Sequence, residues 1–179
     1  MRISVLLCVL ISLCIRAGAD VKFTDVTDAS GIEFQHFTGA TGERYMPETM
    51  GAGCAFLDYD ADGHLDVLLA NGTSLLPAGP ADTPKLYRNL GNGQFVDVTG
   101  AAGLDVPMYG MGIAAADYDN DADLDIYFTN VGKNRLFRNN GDKTFTDVTE
   151  FANVGDASWS IKCSLLRCGQ GWLVGSVRL

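Results

Sequence analysis

The sequence predicts an all-β chain built from four-stranded antiparallel units, the blades of a β-propeller, with about two and a half blades present. Three observations predict it. A pattern of short apolar runs recurs along the chain. Glycine- and asparagine-rich turns separate the runs. No window sustains a helical period.

The repeat is explicit. Phe23-Thr24-Asp25-Val26-Thr27 returns as Phe95-Val96-Asp97-Val98-Thr99 and as Phe145-Thr146-Asp147-Val148-Thr149. Leu86-Tyr87-Arg88-Asn89 returns as Leu136-Phe137-Arg138-Asn139, and Asp58-Tyr59-Asp60 as Asp117-Tyr118-Asp119. Fifty residues separate the later blocks (86 to 136, 95 to 145) and fifty-nine the aspartate blocks (58 to 117). The extra nine fall in Thr73 to Lys85, which is rich in Pro and Gly and reads as a surface loop insertion.

Each unit follows one order. A first apolar run ends in Asp (53–57, 112–116), and a polar loop leads to a second run (65–70, 124–129). The Leu-aromatic-Arg-Asn strand comes third. A Gly/Asn turn then leads to the Phe-x-Asp-Val-Thr strand, since Gly and Asn tolerate positive φ. Four strands in fifty to sixty residues match one propeller blade. The units lie near 51–99 and 110–149, a third begins at 150–166, and the tail 167–179 departs from the pattern.

The loop after the first strand carries the chemistry. Asp58, Asp60, Asp62 and Asp66 occupy positions 1, 3, 5 and 9, with Gly63 at position 6 and His64 at position 7. Asp117, Asp119, Asp121 and Asp125 repeat the scheme, with Ala122 at position 6 and Asp123 at position 7. Carboxylates at alternating positions of a tight loop converge and repel unless a cation lies between them. Ca²⁺ suits such a loop, because it takes six to eight hard oxygens in flexible geometry. Two Ca²⁺ sites are expected. Position 7 is expected to offer a backbone carbonyl, so His64 and Asp123 contribute through the main chain. An EF-hand would need Glu at position 12 and flanking helices; Leu69 and Phe128 stand there, within strand-like runs. Ala122 is expected to strain the second loop by about 1 kcal/mol if its φ is positive.

These pieces, with the run Met50-Gly51-Ala52-Gly53-Cys54-Ala55-Phe56-Leu57, resemble the FG-GAP/VCBS repeats of integrin-α-type propellers. The likeness is closer to the cartilage acidic protein family, whose members often end in an ASPIC/UnbV domain, and it covers about 21–159. The resemblance implies a ring of about seven blades, Ca²⁺ in the loop between the first two strands, and extracellular adhesion or scaffolding.

The bulk numbers agree. A net charge of −9 excludes nucleic acid as a natural partner. Residues 1–19 read as a signal peptide: Arg2, an apolar run from Ile3 to Ile15, and Ala17-Gly18-Ala19 before Asp20. No later segment is apolar enough to span a bilayer, so a secreted, extracellular or periplasmic location is expected. Cys54 is expected in the core as a small apolar residue. Asn71-Gly72-Thr73 is a glycosylation sequon on an expected surface loop.

The expected partner is an extracellular protein or glycan. A polysaccharide-acting enzyme is the alternative, resting on His36, Glu43, Tyr45 and Glu48 in the irregular segment 32–50; such a group more often anchors a long loop. The repeat sets a third aspartate loop at residue 167, where the pattern fails. A one-base shift in reading 167–179 permits that loop and its following strand, so a frameshifted, non-functional gene product is a further expectation. An open stack of blades exposes faces that neighbours cover, and the isolated chain is expected to be marginal or aggregating.

Overall fold

The computed structural model describes residues 21–76, 79, 81–168 and 171–178, with side chains as far as Cys163. The expected signal segment lies outside these residues. Among the described residues no helix is long and apolar enough to cross a membrane.

Eight strands form two four-stranded antiparallel sheets, each a simple meander. The first holds β1 (Cys54–Leu57), β2 (Asp66–Leu69), β3 (Lys85–Asn89) and β4 (Phe95–Asp97). The second holds β5 (Gly110–Ala116), β6 (Asp125–Asn130), β7 (Arg135–Asn139) and β8 (Phe145–Asp147). Registers repeat: Tyr87 faces Asp97 and Asn89 faces Phe95, as Phe137 faces Asp147 and Asn139 faces Phe145. These are two propeller blades in sequence. A hairpin of β9 (Ser160–Cys168) and β10 (Gly171–Arg178) follows. It stands where the repeat sets a third loop.

The blades stack through Gly53, just before β1, and Gly112 in β5. A Cβ on Gly53 would lie 3.0 Å from the Gly112 Cα and 3.1 Å from the Met111 carbonyl. A Cβ on Gly112 would lie 2.8 Å from the Ile161 carbonyl. β9 therefore lies beside β5 as β5 lies beside β1.

The Asp-Val-Thr ends of β4 and β8 are locked alike. The Thr99 amide and hydroxyl both donate to Asp97 Oδ1, and the same pair in Thr149 donates to Asp147 Oδ1. This Asx-type turn reverses the chain, running into α2 (Thr149–Ala152) in the second case and into a non-helical turn in the first. A one-turn helix α1 (Thr27–Ser30) follows the earliest copy of the motif.

The main core lies between the blades and includes Leu57, Leu68, Leu86, Ile126, Phe128 and Phe137. A smaller cluster of Tyr127, Leu136 and Val148 packs against Cys163 on the far side of the second blade. The second blade is thus covered on both faces, and every residue of β6 is buried. β2 alternates buried and half-buried positions.

Cys54 corrects the expectation of a core cysteine: its side chain is exposed. In β1 the inward side chain is Leu57, and Cys54 shares the opposite face with Phe56, which is 70% exposed. Asn71 corrects the second expectation. It is only 3% exposed, and its Oδ1 accepts the amides of Phe37 and Gly72. The sequon is therefore a buried anchor for the segment before β1.

That segment crosses both blades. The Tyr87 hydroxyl donates to the Glu33 carbonyl and the Tyr109 hydroxyl to the Thr38 carbonyl, each at 2.5 Å. His36 Nδ1 lies 3.3 Å from Asn71 Oδ1, and Glu48 Oε1 accepts the Thr41 amide and hydroxyl. Tyr45 is half exposed. The Glu48 amide donates to the Tyr45 carbonyl at 3.0 Å, and among the described residues no hydrogen bond or ion pair joins the side chains of His36, Glu43, Tyr45 and Glu48 to one another.

Leu68 is wholly buried between the blades, so Leu68→Ala is expected to cost about 2–5 kcal/mol in denaturant unfolding. Phe56→Ser removes an exposed ring, and its expected effect is within about 0.5 kcal/mol of zero. Equal losses for both would contradict the assignment of the two faces.

Candidate metal centres

Both aspartate loops fold the same way because the position-1 carboxylate gathers the loop amides. Asp58 Oδ1 accepts the Asp62 amide at 3.1 Å and its Oδ2 accepts Gly63 at 2.9 Å. Asp117 Oδ1 accepts Asn120 and Asp121, and its Oδ2 accepts Ala122 at 3.2 Å. The position-5 carboxylates close a smaller turn: Asp62 Oδ1 accepts His64, and Asp121 Oδ1 accepts Asp123, each at 2.9 Å.

Position 9 ties the loop to the blade. Asp66 is buried, with Oδ2 accepting the Tyr59 amide and Oδ1 accepting the Asn89 amide at the end of β3. Asp125 repeats this with Tyr118 and Asn139. The asparagine side chain returns the link, since Asn89 Nδ2 donates to the Leu65 carbonyl.

Three carboxylates converge in each loop. Oxygens of Asp58, Asp60 and Asp66 lie within 4.8 Å of one another, as do those of Asp117, Asp119 and Asp125. Asp62 and Asp121 stand outside these tight groups, near enough to push up the pKa of Asp66 and Asp119 respectively. The His64 imidazole lies over Gly91, where a Cβ would come within 2.5 Å of Nε2. Asp123 Oδ2 lies over Gly141 in the same way, at 2.9 Å. Neither position-7 side chain belongs to its carboxylate triad.

Electrostatics register the crowding. Burial raises Asp125 to about 6, despite two amide donors, with Asp119 and Asp121 adding repulsion. Asp66 shifts upward for the same leading reason. Asp119 is raised by burial and then by Asp121 and Asp117.

The two loops differ in cover. The Asp60 side chain is fully shielded, and its Oδ1 has no hydrogen-bond partner. The shield comes from the second blade: Tyr59 stacks on Phe145 at 6.1 Å, Asn139 Nδ2 donates to the Tyr59 carbonyl, and Lys143 Nζ lies 3.0 Å from Asp60 Oδ2. Asp119, the equivalent of Asp60, is exposed. Backbone strain, by contrast, is shared. Ala122 has φ 77° as feared, but Ala61 has φ 55° in the first loop, opposite the more tolerant Asn120 at 65°.

The ligand chemistry fits a hard cation. All three converging groups are carboxylates, which suit Ca²⁺ or Mg²⁺, and the orphaned Asp60 oxygen points to an oxygen-seeking ion in the first loop.

With cations removed by chelator, Asp125 makes stability depend on pH. Its folded pKa of about 6 exceeds the unfolded value of about 3.9, so its favourable contribution is full below pH 4 and is lost as pH rises through 6. Asp97 is shifted the other way. Its Thr99 and Lys85 partners overcome burial, so the loss it causes comes only below about pH 4. Chelated protein is therefore expected to melt higher at pH 5 than at pH 7, with Asp125→Asn flattening the difference. A higher melting point at pH 7 would contradict it.

A family model of the FG-GAP-like repeat matches residues 58–128, the span from the first aspartate loop to the strand after the second. Cartilage acidic protein 1 of Xenopus tropicalis is 27% identical over 146 residues, covering 78% of this chain and 20% of that protein. The mouse protein of that name is 44% identical over 54 residues, 29% of this chain and 8% of its own length. The human one is 43% identical over the same length. The chain thus spans about a fifth of the frog relative or less of the others. Residues 58–128 are an FG-GAP-like repeat segment, in a chain similar to cartilage acidic protein 1 over most of its length.

Proposed function

We propose that the chain is a secreted repeat module that binds two Ca²⁺ ions and serves extracellular binding, adhesion or scaffolding. The observation that carries this reading is the orphaned, fully shielded Oδ1 of Asp60 beside Asp58 and Asp66. A buried carboxylate oxygen without a donor is costly, and a divalent ion supplies the missing partner.

In this reading Asp58, Asp60 and Asp66 hold one ion and Asp117, Asp119 and Asp125 the other. Asp62 and Asp121, with the position-7 carbonyls of His64 and Asp123, complete the expected oxygen sets. The ions stiffen the loops along one rim of the blades and leave that rim to meet a partner. The acidic balance of −9 favours an extracellular protein or glycan over nucleic acid. The role is non-catalytic: His36 and Glu48, the best acid–base pair in the sequence, have Asn71 and Thr41 as partners.

Lys143 tunes the first site. Its φ of 72° is left-handed, as is the 85° of Gly93 in the equivalent turn of the first blade, and its ammonium reaches Asp60. A bound cation competes with that ammonium.

Calorimetry with Ca²⁺ is expected to find two sites, with Asp60→Ala removing one and leaving the other. Lys143→Met is expected to tighten the first site about three- to tenfold by removing a competing charge. Binding of no ion at millimolar Ca²⁺ would end the proposal. Weakened binding in Lys143→Met would show that the lysine positions Asp60 and does not oppose the ion.

A further inference from the structure

Asparagine precedes glycine at three places in the chain: 71–72, 92–93 and 140–141. In such a pair the glycine nitrogen can attack the asparagine side-chain carbonyl, because glycine has no Cβ to hinder the approach. The attack needs a glycine N–H that no acceptor holds and an asparagine side chain that is free to turn. It also needs water to open the ring that forms. The structure meets these needs at one pair of the three.

Asn71–Gly72 is closed. Asn71 is buried, and the Gly72 amide donates to the Phe37 carbonyl at 3.1 Å and to Asn71 Oδ1. Asn140–Gly141 is exposed but tied down. The Gly141 amide donates to Asn139 Oδ1 at 3.1 Å, and Asn140 Nδ2 donates to Thr144 Oγ1 at 2.9 Å. Asn140 Oδ1 accepts from Arg138 and from the Thr146 hydroxyl. Asp62–Gly63 could close the same ring more slowly, but its glycine amide is held by Asp58 Oδ2 at 2.9 Å.

Asn92–Gly93 lies in the exposed turn between β3 and β4. Among the described residues no hydrogen bond holds the Gly93 amide or Asn92 Nδ2. A Cβ on Gly93 would meet nothing within 4 Å, so water has access to the pair. Asn92 Oδ1 accepts the Gln94 amide at 3.0 Å. That donor polarises the carbonyl and stabilises the negative oxygen formed by the attack. The second blade shows that an aspartate fits here. Asp142 stands where the first blade has Asn92, and its Oδ1 accepts the Thr144 amide at 3.1 Å as Asn92 Oδ1 accepts Gln94.

We infer that Asn92–Gly93 is a self-modifying site, where the chain deamidates on the rim that carries the first aspartate loop. The Gly93 nitrogen gives its proton to hydroxide and bonds to Asn92 Cγ. The Cγ–Nδ2 bond breaks, the nitrogen leaves as ammonia with a proton from water, and a five-membered succinimide remains. Water then opens the ring at either carbonyl. One opening gives aspartate, and the other gives isoaspartate, with an extra methylene in the backbone. Each product adds a negative charge beside the first loop, whose His64 imidazole lies over Gly91. Isoaspartate also lengthens the turn that the bond from the Leu90 amide to the Gln94 carbonyl closes. The inference stands whichever ion the loops bind.

The test incubates the full chain at mildly alkaline pH and maps its peptides by mass spectrometry for replacement of NH2 by OH. Isoaspartate is read by enzymatic carboxyl methylation. In the folded chain Asn92 is expected to convert about tenfold or more faster than Asn71 and Asn140. In denaturant the three rates are expected to converge, because glycine follows each asparagine. Gly93→Lys places at 93 the residue that the second blade holds there at φ 72°, and it is expected to suppress conversion. Comparable rates at the three asparagines in the folded chain, selectivity that persists in denaturant, or undiminished conversion in Gly93→Lys would each overturn the inference.

Discussion

The structure depends on how each blade holds a buried carboxylate at the ninth position of its loop. Asp66 and Asp125 accept one amide from the loop and one from the end of the third strand. That pair of bonds fixes the loop to the sheet and places a negative charge among others. Burial favours the neutral acid, which is why Asp125 is pushed up to about 6. At neutral pH that buried charge costs stability, and a cation beside it would offset the cost.

Neighbouring blades then make the two loops unequal. The first loop is roofed by Phe145, Asn139 and Lys143 of the next blade, which are contacts across roughly eighty residues of sequence. The second loop leaves Asp119 exposed. The same stacking logic accounts for the apolar residues on the outer face of the first blade. Each has a more buried equivalent one repeat later, packed in or against the core, so exposure here reflects position in the stack and not side-chain type.

Much of this was legible in the sequence. The strand order, the turn residues and the aspartate spacing follow from local chemistry repeated at a fixed distance, and local chemistry survives in any context. Four features were not legible. Cys54 was read as core because its run is apolar, but which face of β1 is covered depends on a neighbouring blade. Asn71 carries a sequon, yet its burial comes from Phe37, thirty-four residues away. The strain expected in Ala122 is matched by Ala61, because position 4 of the loop is left-handed as well as position 6. The contact of Lys143 with Asp60 had one weak signal: a lysine where the first blade has Gly93.

The most direct test of the account is thermal unfolding of the purified chain in excess chelator and again in millimolar Ca²⁺. A ligand bound only by the folded state raises the midpoint in proportion to the logarithm of its concentration. The account predicts a midpoint that climbs with Ca²⁺ and falls back on chelation. Identical midpoints in chelator and in Ca²⁺ would contradict it.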